Sequence, residues 1–171
     1  VLFGDGAGAA VIGPGSGDSG ILASSWGADG SLAPCLYQPA GGTQRPATLE
    51  TVQENLHTVH MQGRHVFRHA VEAMASAALT AMDRARLTAD DVDVLIPHQA
   101  NIRIMEATRQ RTGVPAERMF SVVDRYGNMS AATIPIAIHE AKQAGLLKDG
   151  SILLTTAFGT GFTWAAHAIR W

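Results

Sequence analysis

The sequence predicts an α/β fold in which helices cover a mixed β-sheet. From Val92 onward, short apolar runs alternate with helical patterns in the order β-α-β-α-β-β, which is typical of a sheet with helical faces. A long pattern of apolar residues at helical spacing precedes them, at 63–86. The chain has 171 residues, 46% hydrophobic and 16% charged, which is long enough for one domain with a core.

The first 62 residues are rich in glycine, which predicts short strands joined by turns and a long loop. Loops of about 20 residues in a compact domain are often functional or poorly ordered. We expect strands at Val1–Phe3, Ala9–Ile12 and Ile21–Trp26, a flexible turn at 13–20, and an irregular loop at 27–46.

The middle of the chain predicts a helix, a buried strand and a second helix. A helix is expected at 63–86, followed by a short turn capped by Thr88. The strand at Val92–Ile96 is β-branched and ends at Pro97, which cannot donate to a sheet ladder. The second helix is expected at Asn101–Thr112, closed by Gly113.

The last third predicts two further strands around a helix and a closing hairpin. A strand is expected at Phe120–Val123, a turn at 124–128 and a helix at Ser130–Ala144. Strands at Ile152–Thr156 and Trp164–Trp171 flank a glycine loop, so we expect an antiparallel hairpin at the edge of the sheet.

Composition excludes several classes of protein. A net charge of −2 argues against bulk nucleic-acid binding, and no apolar run reaches the roughly 18–20 residues of a membrane span. A single cysteine, Cys35, excludes an internal disulfide framework and fits a reducing compartment, so we expect a cytoplasmic protein. The chain begins inside a predicted strand without an initiator methionine, so we expect it to be a piece of a longer polypeptide.

Polar side chains follow three successive strands of the predicted sheet. His98 and Asn101 follow the first strand, Asn128 and Ser130 the second, and the loop 159–161 the third. If these strands are parallel, the three turns share the edge at which ligands bind in open α/β sheets. An imidazole, a carboxamide and backbone N–H groups there can stabilise a developing oxyanion, although a plain polar loop edge would have the same composition.

Other kinds of site are less well supported. The glycines at 4, 6 and 8 lack the third position of the dinucleotide fingerprint, and no phosphate loop or nucleophile elbow is present. His65 and His69 have a spacing that zinc can use, but no Glu completes the metalloprotease pattern, and we expect no metal site. Cys35 with His98 and Asn128 provides the residue types of a cysteine protease, yet no helix N-terminus is placed to lower the pKa of the thiol.

Five motifs are distributed over nearly the whole chain: Gly-Asp-Gly-Ala-Gly-Ala-Ala-Val from residue 4, Met-Gln-Gly-Arg-His-Val-Phe from 61, Pro-His-Gln-Ala-Asn-Ile-Arg-Ile from 97, Tyr-Gly-Asn-Met-Ser-Ala-Ala-Thr-Ile-Pro from 126 and Ala-Phe-Gly-Thr-Gly-Phe-Thr-Trp from 157. Together, and in this order, they resemble the 3-oxoacyl-[acyl-carrier-protein] synthase III family of the thiolase superfamily. The resemblance implies a five-layered α-β-α-β-α architecture built from two similar halves. Residues 1–20 would end the N-terminal half, and 21–171 would form the C-terminal thiolase-like domain.

The resemblance also implies a reaction. Such an enzyme condenses an acyl-CoA primer with malonyl-acyl carrier protein, with loss of CO₂, in fatty-acid initiation. The acylated cysteine would lie in the missing N-terminal half, and His98 and Asn128 would stabilise the enolate. The backbone N–H of Thr160 would belong to the oxyanion hole of the acyl-cysteine. No cofactor is implied, and the parent enzyme would be a homodimer.

Further residues are assigned by the same resemblance. Gly63, Asn101 and Phe158 would line the pantetheine site. Arg68, Arg103 and Arg111 would dock the acidic carrier protein, although each could equally be an ordinary solvated charge. Two alternatives remain: an acyltransferase or condensing enzyme of specialised metabolism, and an inactive structural fragment. We expect the fragment alone to be inactive, because the nucleophile and the packing surface of the other half are missing.

Overall fold

The computed structural model describes residues 3–15 and 17–171 of the chain. The first two residues of the strand predicted at Val1–Phe3, and Ser16 of the predicted turn, lie outside the described residues. The described residues form six strands: β1 Gly20–Ala28, β2 Leu36–Tyr37, β3 His60–Met61, β4 Val94–Pro97, β5 Ile152–Gly159 and β6 Thr163–Arg170. The helices are α1 Leu49–Gln53, α2 Gly63–Arg84, α3 Ile102–Thr112, α4 Val123–Tyr126 and α5 Thr133–Gln143.

The main sheet has four strands in the order β1-β6-β5-β4. β4 and β5 are parallel, whereas β6 is antiparallel to both of its neighbours, β5 and β1. The mixed sheet and the closing hairpin are therefore confirmed, but the hairpin does not lie at the edge as predicted. β1 pairs with the whole length of β6 and takes the edge position itself.

Helices cover both faces of this sheet, as predicted. On one face, the small side chains Ala77, Ala78 and Ala81 of α2 pack against Leu95, Leu154 and their neighbours. On the other face, Ala137 and Ala141 of α5 pack against Val94, Ile96 and Leu153. Because β4 and β5 are covered on both faces, their side chains form continuous apolar runs rather than an alternating pattern.

The strand predicted at Phe120–Val123 is wrong. Backbone pairing with β4 is limited to one parallel bridge between Leu95 and Met119, and α4 begins at Val123. The fully buried side chain of Gln99 replaces the missing ladder: its Oε1 accepts from the Val122 N–H at 2.8 Å, and its Nε2 donates to the Phe120 carbonyl at 3.4 Å. A side chain that satisfies the backbone in this way ends strand pairing early.

The strand predicted at Ala9–Ile12 is also wrong. Residues 3–15 are exposed and pair with no strand among the described residues, so Val11 and Ile12 lie in solvent. The loop predicted at 27–46 is more ordered than expected, because it contains a 3-10 turn at Gly30–Cys35 and β2, which pairs with β3. In the part of the chain that the structure describes, no helix has the length and hydropathy needed to cross a membrane.

Candidate active site

His98 leaves the sheet at the carboxyl end of β4. Its backbone N–H donates to the Thr156 carbonyl of β5 at 2.8 Å, which continues the parallel ladder one residue beyond Pro97. The side chain is half-buried, and burial lowers the pKa of the imidazole below its usual range because the charged form is desolvated. His98 is therefore a neutral histidine at neutral pH.

Thr133, the first residue of α5, contacts the imidazole directly. Its buried Oγ1 lies 2.6 Å from His98 Nδ1 and 2.9 Å from the Ser130 carbonyl oxygen. A threonine hydroxyl carries one proton, so it donates to only one of these acceptors. The Ser130 carbonyl also accepts the backbone N–H of Thr133, so Thr133 and Ser130 stay hydrogen-bonded whether the hydroxyl proton points to Ser130 or to His98.

Asn128 lies in the loop between α4 and α5, and the same turn fixes its side chain. Its Oδ1 accepts from the Ser130 N–H at 2.9 Å. Because the oxygen is held by the backbone, the Nδ2 group is the end of the amide left to donate. Ser130 thus bonds to Asn128 through its N–H and to Thr133 through its C=O. The backbone of Ser130 has a φ of +54°, which non-glycine residues rarely adopt.

The structure therefore brings His98 and Asn128 together through one short hydrogen-bonded chain. The order is His98, Thr133, Ser130 and Asn128, and it joins the end of β4 to the start of α5. Thr133 and Gln99 are the residues that sequence reasoning missed. A hydroxyl in the first turn of the predicted helix was the available signal for Thr133, but nothing local indicated contact with a histidine 35 residues away.

Thr160 and Phe158 lie at the same end of the sheet, on the β5–β6 hairpin. The Thr160 hydroxyl donates to the Leu36 carbonyl, and no hydrogen bond between described residues joins Thr160 to His98 or Asn128. Phe158 packs edge-to-face on the buried Phe162, with the ring centroids 4.6 Å apart. Their parts in substrate binding stay predictions.

Gly63 and Asn101 begin the two helices that follow β3 and β4. A Cβ built on Gly63 would meet no atom within 4 Å, and an open groove of about 550 Å³ lies along 62–65. Asn101 caps α3, where its Oδ1 accepts from the Arg103 N–H at 2.8 Å. The groove leaves space for a ligand beside Gly63, and the cap leaves the Asn101 Nδ2 group as a donor.

The three arginines predicted to dock a carrier protein are exposed. Arg68 lies on α2 and Arg103 and Arg111 on α3, and no ion pair between described residues involves them. Arg109, in contrast, bonds to Glu106 at 3.0 Å and to the Val114 carbonyl at 2.9 Å, so its charge stabilises the end of α3. Unlike Arg109, Arg68, Arg103 and Arg111 therefore have charge available for a partner.

The alternative chemistries find little support in the geometry. The Cys35 thiol contacts the Gln62 Oε1 at 3.8 Å and makes no hydrogen bond to a described histidine. Within residues 3–15 and 17–171, no group of three or more His, Cys, Asp and Glu side chains is arranged to hold a metal ion.

Comparison with known proteins identifies the family of this chain. The family model described as 3-oxoacyl-[acyl-carrier-protein (ACP)] synthase III C terminal matches residues 82–171. The chain is 52% identical over all 171 residues to a β-ketoacyl-[acyl-carrier-protein] synthase III of Caldanaerobacter subterraneus, and 48% identical to that of Clostridioides difficile. In both cases it covers 100% of this chain and 52% of the relative, so the chain spans about half the length of the curated relatives it matches.

Solved structures give the same result. The β-ketoacyl-[acyl-carrier-protein] synthase III of Thermus thermophilus matches with a TM-score of 0.81 and 39% identity, over 94% of this chain and 49% of that one. The priming β-ketosynthase of the R1128 polyketide pathway matches with a TM-score of 0.77 and 28% identity, over 92% and 46%. These neighbours establish the thiolase-like α/β fold. The chain belongs to the 3-oxoacyl-[acyl-carrier-protein] synthase III family and carries its C-terminal part.

Proposed function

We propose that this chain provides the decarboxylation half of the active site of a β-ketoacyl-acyl carrier protein synthase III. In the complete enzyme, by which we mean this chain together with the half that its relatives add to it, a cysteine of that other half takes the acyl group from acyl-CoA. Malonyl-acyl carrier protein then loses CO₂, and its carbanion attacks the acyl thioester. The observation that carries the proposal is the series of hydrogen bonds that links the side chains of His98 and Asn128 through Thr133 and Ser130.

The two side chains suit the step assigned to them. Loss of CO₂ leaves two electrons on the malonyl unit, and the resulting negative charge is shared with the thioester oxygen. Donors held in place before the reaction stabilise such an oxyanion without reorganisation at the moment of charge development. Asn128 Nδ2 is one donor. A neutral His98 is the second, provided that its Nε2 carries the hydrogen.

In this proposal, Thr133 is the residue that places the imidazole hydrogen of His98 on Nε2. When its hydroxyl donates to His98 Nδ1, the neutral imidazole carries its hydrogen on Nε2. The backbone N–H of Thr160 would hold the acyl-cysteine carbonyl, and Gly63, Asn101 and Phe158 would line the pantetheine path. Arg68, Arg103 and Arg111 would attract the acidic carrier protein, the parent enzyme would be a cytoplasmic homodimer, and no cofactor takes part.

The test separates the two halves of the reaction. The complete enzyme is incubated with acetyl-CoA, and acetylation is followed by intact mass. Malonyl-acyl carrier protein is then added, and release of CO₂ and formation of the 3-oxoacyl product are measured. We expect acetylation outside residues 1–171, followed by decarboxylation. Acetylation of Cys35, or acetylation without decarboxylation, would contradict the proposal.

A condensing enzyme of specialised metabolism is the second candidate. The R1128 neighbour, a priming β-ketosynthase of a polyketide pathway, supports it because its structure matches over 92% of this chain. The same assay decides between the two when the malonyl group is carried by the acyl carrier protein of fatty-acid synthesis or, in a parallel reaction, by a polyketide carrier protein. Transfer to an oxygen or nitrogen acceptor without loss of CO₂ would instead indicate an acyltransferase.

Removing the Thr133 hydroxyl should weaken the second step only. In the complete enzyme, Thr133→Val keeps the side-chain volume but leaves His98 Nδ1 without its hydrogen-bond partner. Because such a hydrogen bond contributes about 1 kcal/mol, we expect a roughly fivefold lower decarboxylation rate. Thr133→Ser keeps the hydroxyl and is the matched control. The ¹⁵N shifts of the His98 ring should show hydrogen on Nε2 in the unmodified enzyme, and hydrogen on Nδ1 would contradict this assignment.

A further inference from the structure

The glycine-rich segment at the start of the chain contacts the loop that carries Asn128. Gly4 donates its backbone N–H to the Asn128 carbonyl at 2.9 Å. A Cβ built on Gly4 would lie 2.6 Å from the Tyr126 carbonyl oxygen, and one built on Gly6 would lie 2.6 Å from the Met129 sulfur. These separations are far below van der Waals contact. A side chain at Gly4 would displace the Tyr126 carbonyl, which is backbone, and a side chain at Gly6 would displace the buried side chain of Met129.

The contacts repeat every second residue. A Cβ on Gly8 would collide with the ring of Pro135 in the first turn of α5. In an extended segment, alternate residues face the same side, so Gly4, Gly6 and Gly8 present one face without side chains. This face meets the loop before Asn128, the residue after it, and the helix that carries Thr133.

Space, rather than backbone conformation, explains these glycines. None of the three has a φ in the left-handed region that favours glycine, whereas Gly17 and Gly20 do. Gly13 has neither property, because its φ is ordinary and a Cβ built there would meet nothing within 4 Å. The segment therefore contains both the close-approach glycines and an internal control.

Close approach of the glycine segment gives the Asn128 loop contacts in addition to those made by Ser130. Met129 is 4% exposed because its side chain is held over Gly6. The Asn128 carbonyl is bonded to Gly4, while its side chain is bonded to Ser130. With backbone and side chain both held, the amide has one orientation, which is what preorganised stabilisation of an oxyanion requires.

We propose that Gly4, Gly6 and Gly8 are positioning residues. They form a surface without side chains, here called the glycine track, against which the Asn128 loop and the start of α5 pack directly. This inference rests on the proposed function, since it assigns the track to the decarboxylation step. It gives the segment at 3–15 a part in the chemistry of the C-terminal domain, although residues 1–20 would belong to the N-terminal half.

The test compares Gly6→Ala with Gly13→Ala in the complete enzyme. Gly6→Ala should lower kcat for decarboxylation of malonyl-acyl carrier protein at least tenfold with little change in KM, because the added Cβ moves the loop and not the entrance. Acetylation of the enzyme should stay within twofold of the unmodified protein. Gly13→Ala should leave both steps unchanged.

Other outcomes are equally decisive. Equal loss of both steps in Gly6→Ala, or decarboxylation equal to that of Gly13→Ala, would overturn the inference. If Gly6→Ala does not fold, Gly4→Ala, whose Cβ meets a single carbonyl oxygen, replaces it under the same criteria. Absence of decarboxylation in the unmodified enzyme would instead refute the proposed function, so the two failures are distinguishable.

Discussion

Replacing His98 by alanine in the complete enzyme should lower the rate of condensation by about 10²–10³. The loss should appear in decarboxylation of malonyl-acyl carrier protein and leave acetylation of the cysteine within a few fold. The reason is the position of the imidazole: it is half-buried at the end of β4, held through Nδ1 by Thr133, with Nε2 as its remaining polar atom. Removing it deletes one donor to the developing enolate.

A glutamine at this position distinguishes a donor from a base. The Nε2 group of His98→Gln can donate a hydrogen bond but cannot accept a proton, so a pure donor role predicts a rate well above that of His98→Ala. Rates equal to those of His98→Ala would show that proton transfer is needed instead. Unchanged decarboxylation in His98→Ala would exclude His98 from the step altogether.

The pH dependence of stability gives an independent measurement on the same side chain. Burial lowers the pKa of His98 in the folded protein, so between that value and the usual pKa of about 6.5 the unfolded chain binds more protons. The contribution of His98 to the free energy of unfolding is therefore full above about pH 6.5 and falls as the pH drops. His98→Gln should remove this part of the acid sensitivity.

The sequence predicts the location of His98 for a simple physical reason. A fully buried strand produces a continuous apolar run, and Pro97 ends it, so the following polar residue has to emerge at the end of the strand. Hydrophobic periodicity likewise locates α2 and α5, whose apolar faces are set by burial against the sheet. These features depend on local pattern alone.

Long-range pairing explains the errors. The apolar residues at 120–123 have the composition of a strand, but the Gln99 side chain takes their hydrogen bonds. The closing hairpin is interior because β1, more than 130 residues earlier, pairs with β6. Local propensity carries no information on either partner, and the Thr133–His98 contact is hidden for the same reason.

Replacing Asn128 should lower the rate of decarboxylation as much as replacing His98 does. An aspartate at this position provides a closely matched control. Asn128→Ala removes both the donor and the acceptor that bonds to the Ser130 N–H, so its loss of decarboxylation, about 10²–10³, includes any loosening of the loop. Asn128→Asp keeps an oxygen for the Ser130 N–H and deletes only the donor. The carboxylate also places a negative charge beside the enolate, which opposes charge development.

The comparison of the two variants decides what Asn128 contributes. If donation by Nδ2 is its role, Asn128→Asp should be at least as slow in decarboxylation as Asn128→Ala, with acetylation of the cysteine retained in both. If Asn128 serves only to hold the turn through Ser130, Asn128→Asp should recover most of the activity that Asn128→Ala loses. Because the aspartate preserves the backbone contact while removing the N–H, recovery of decarboxylation despite the added negative charge would assign enolate stabilisation to other groups.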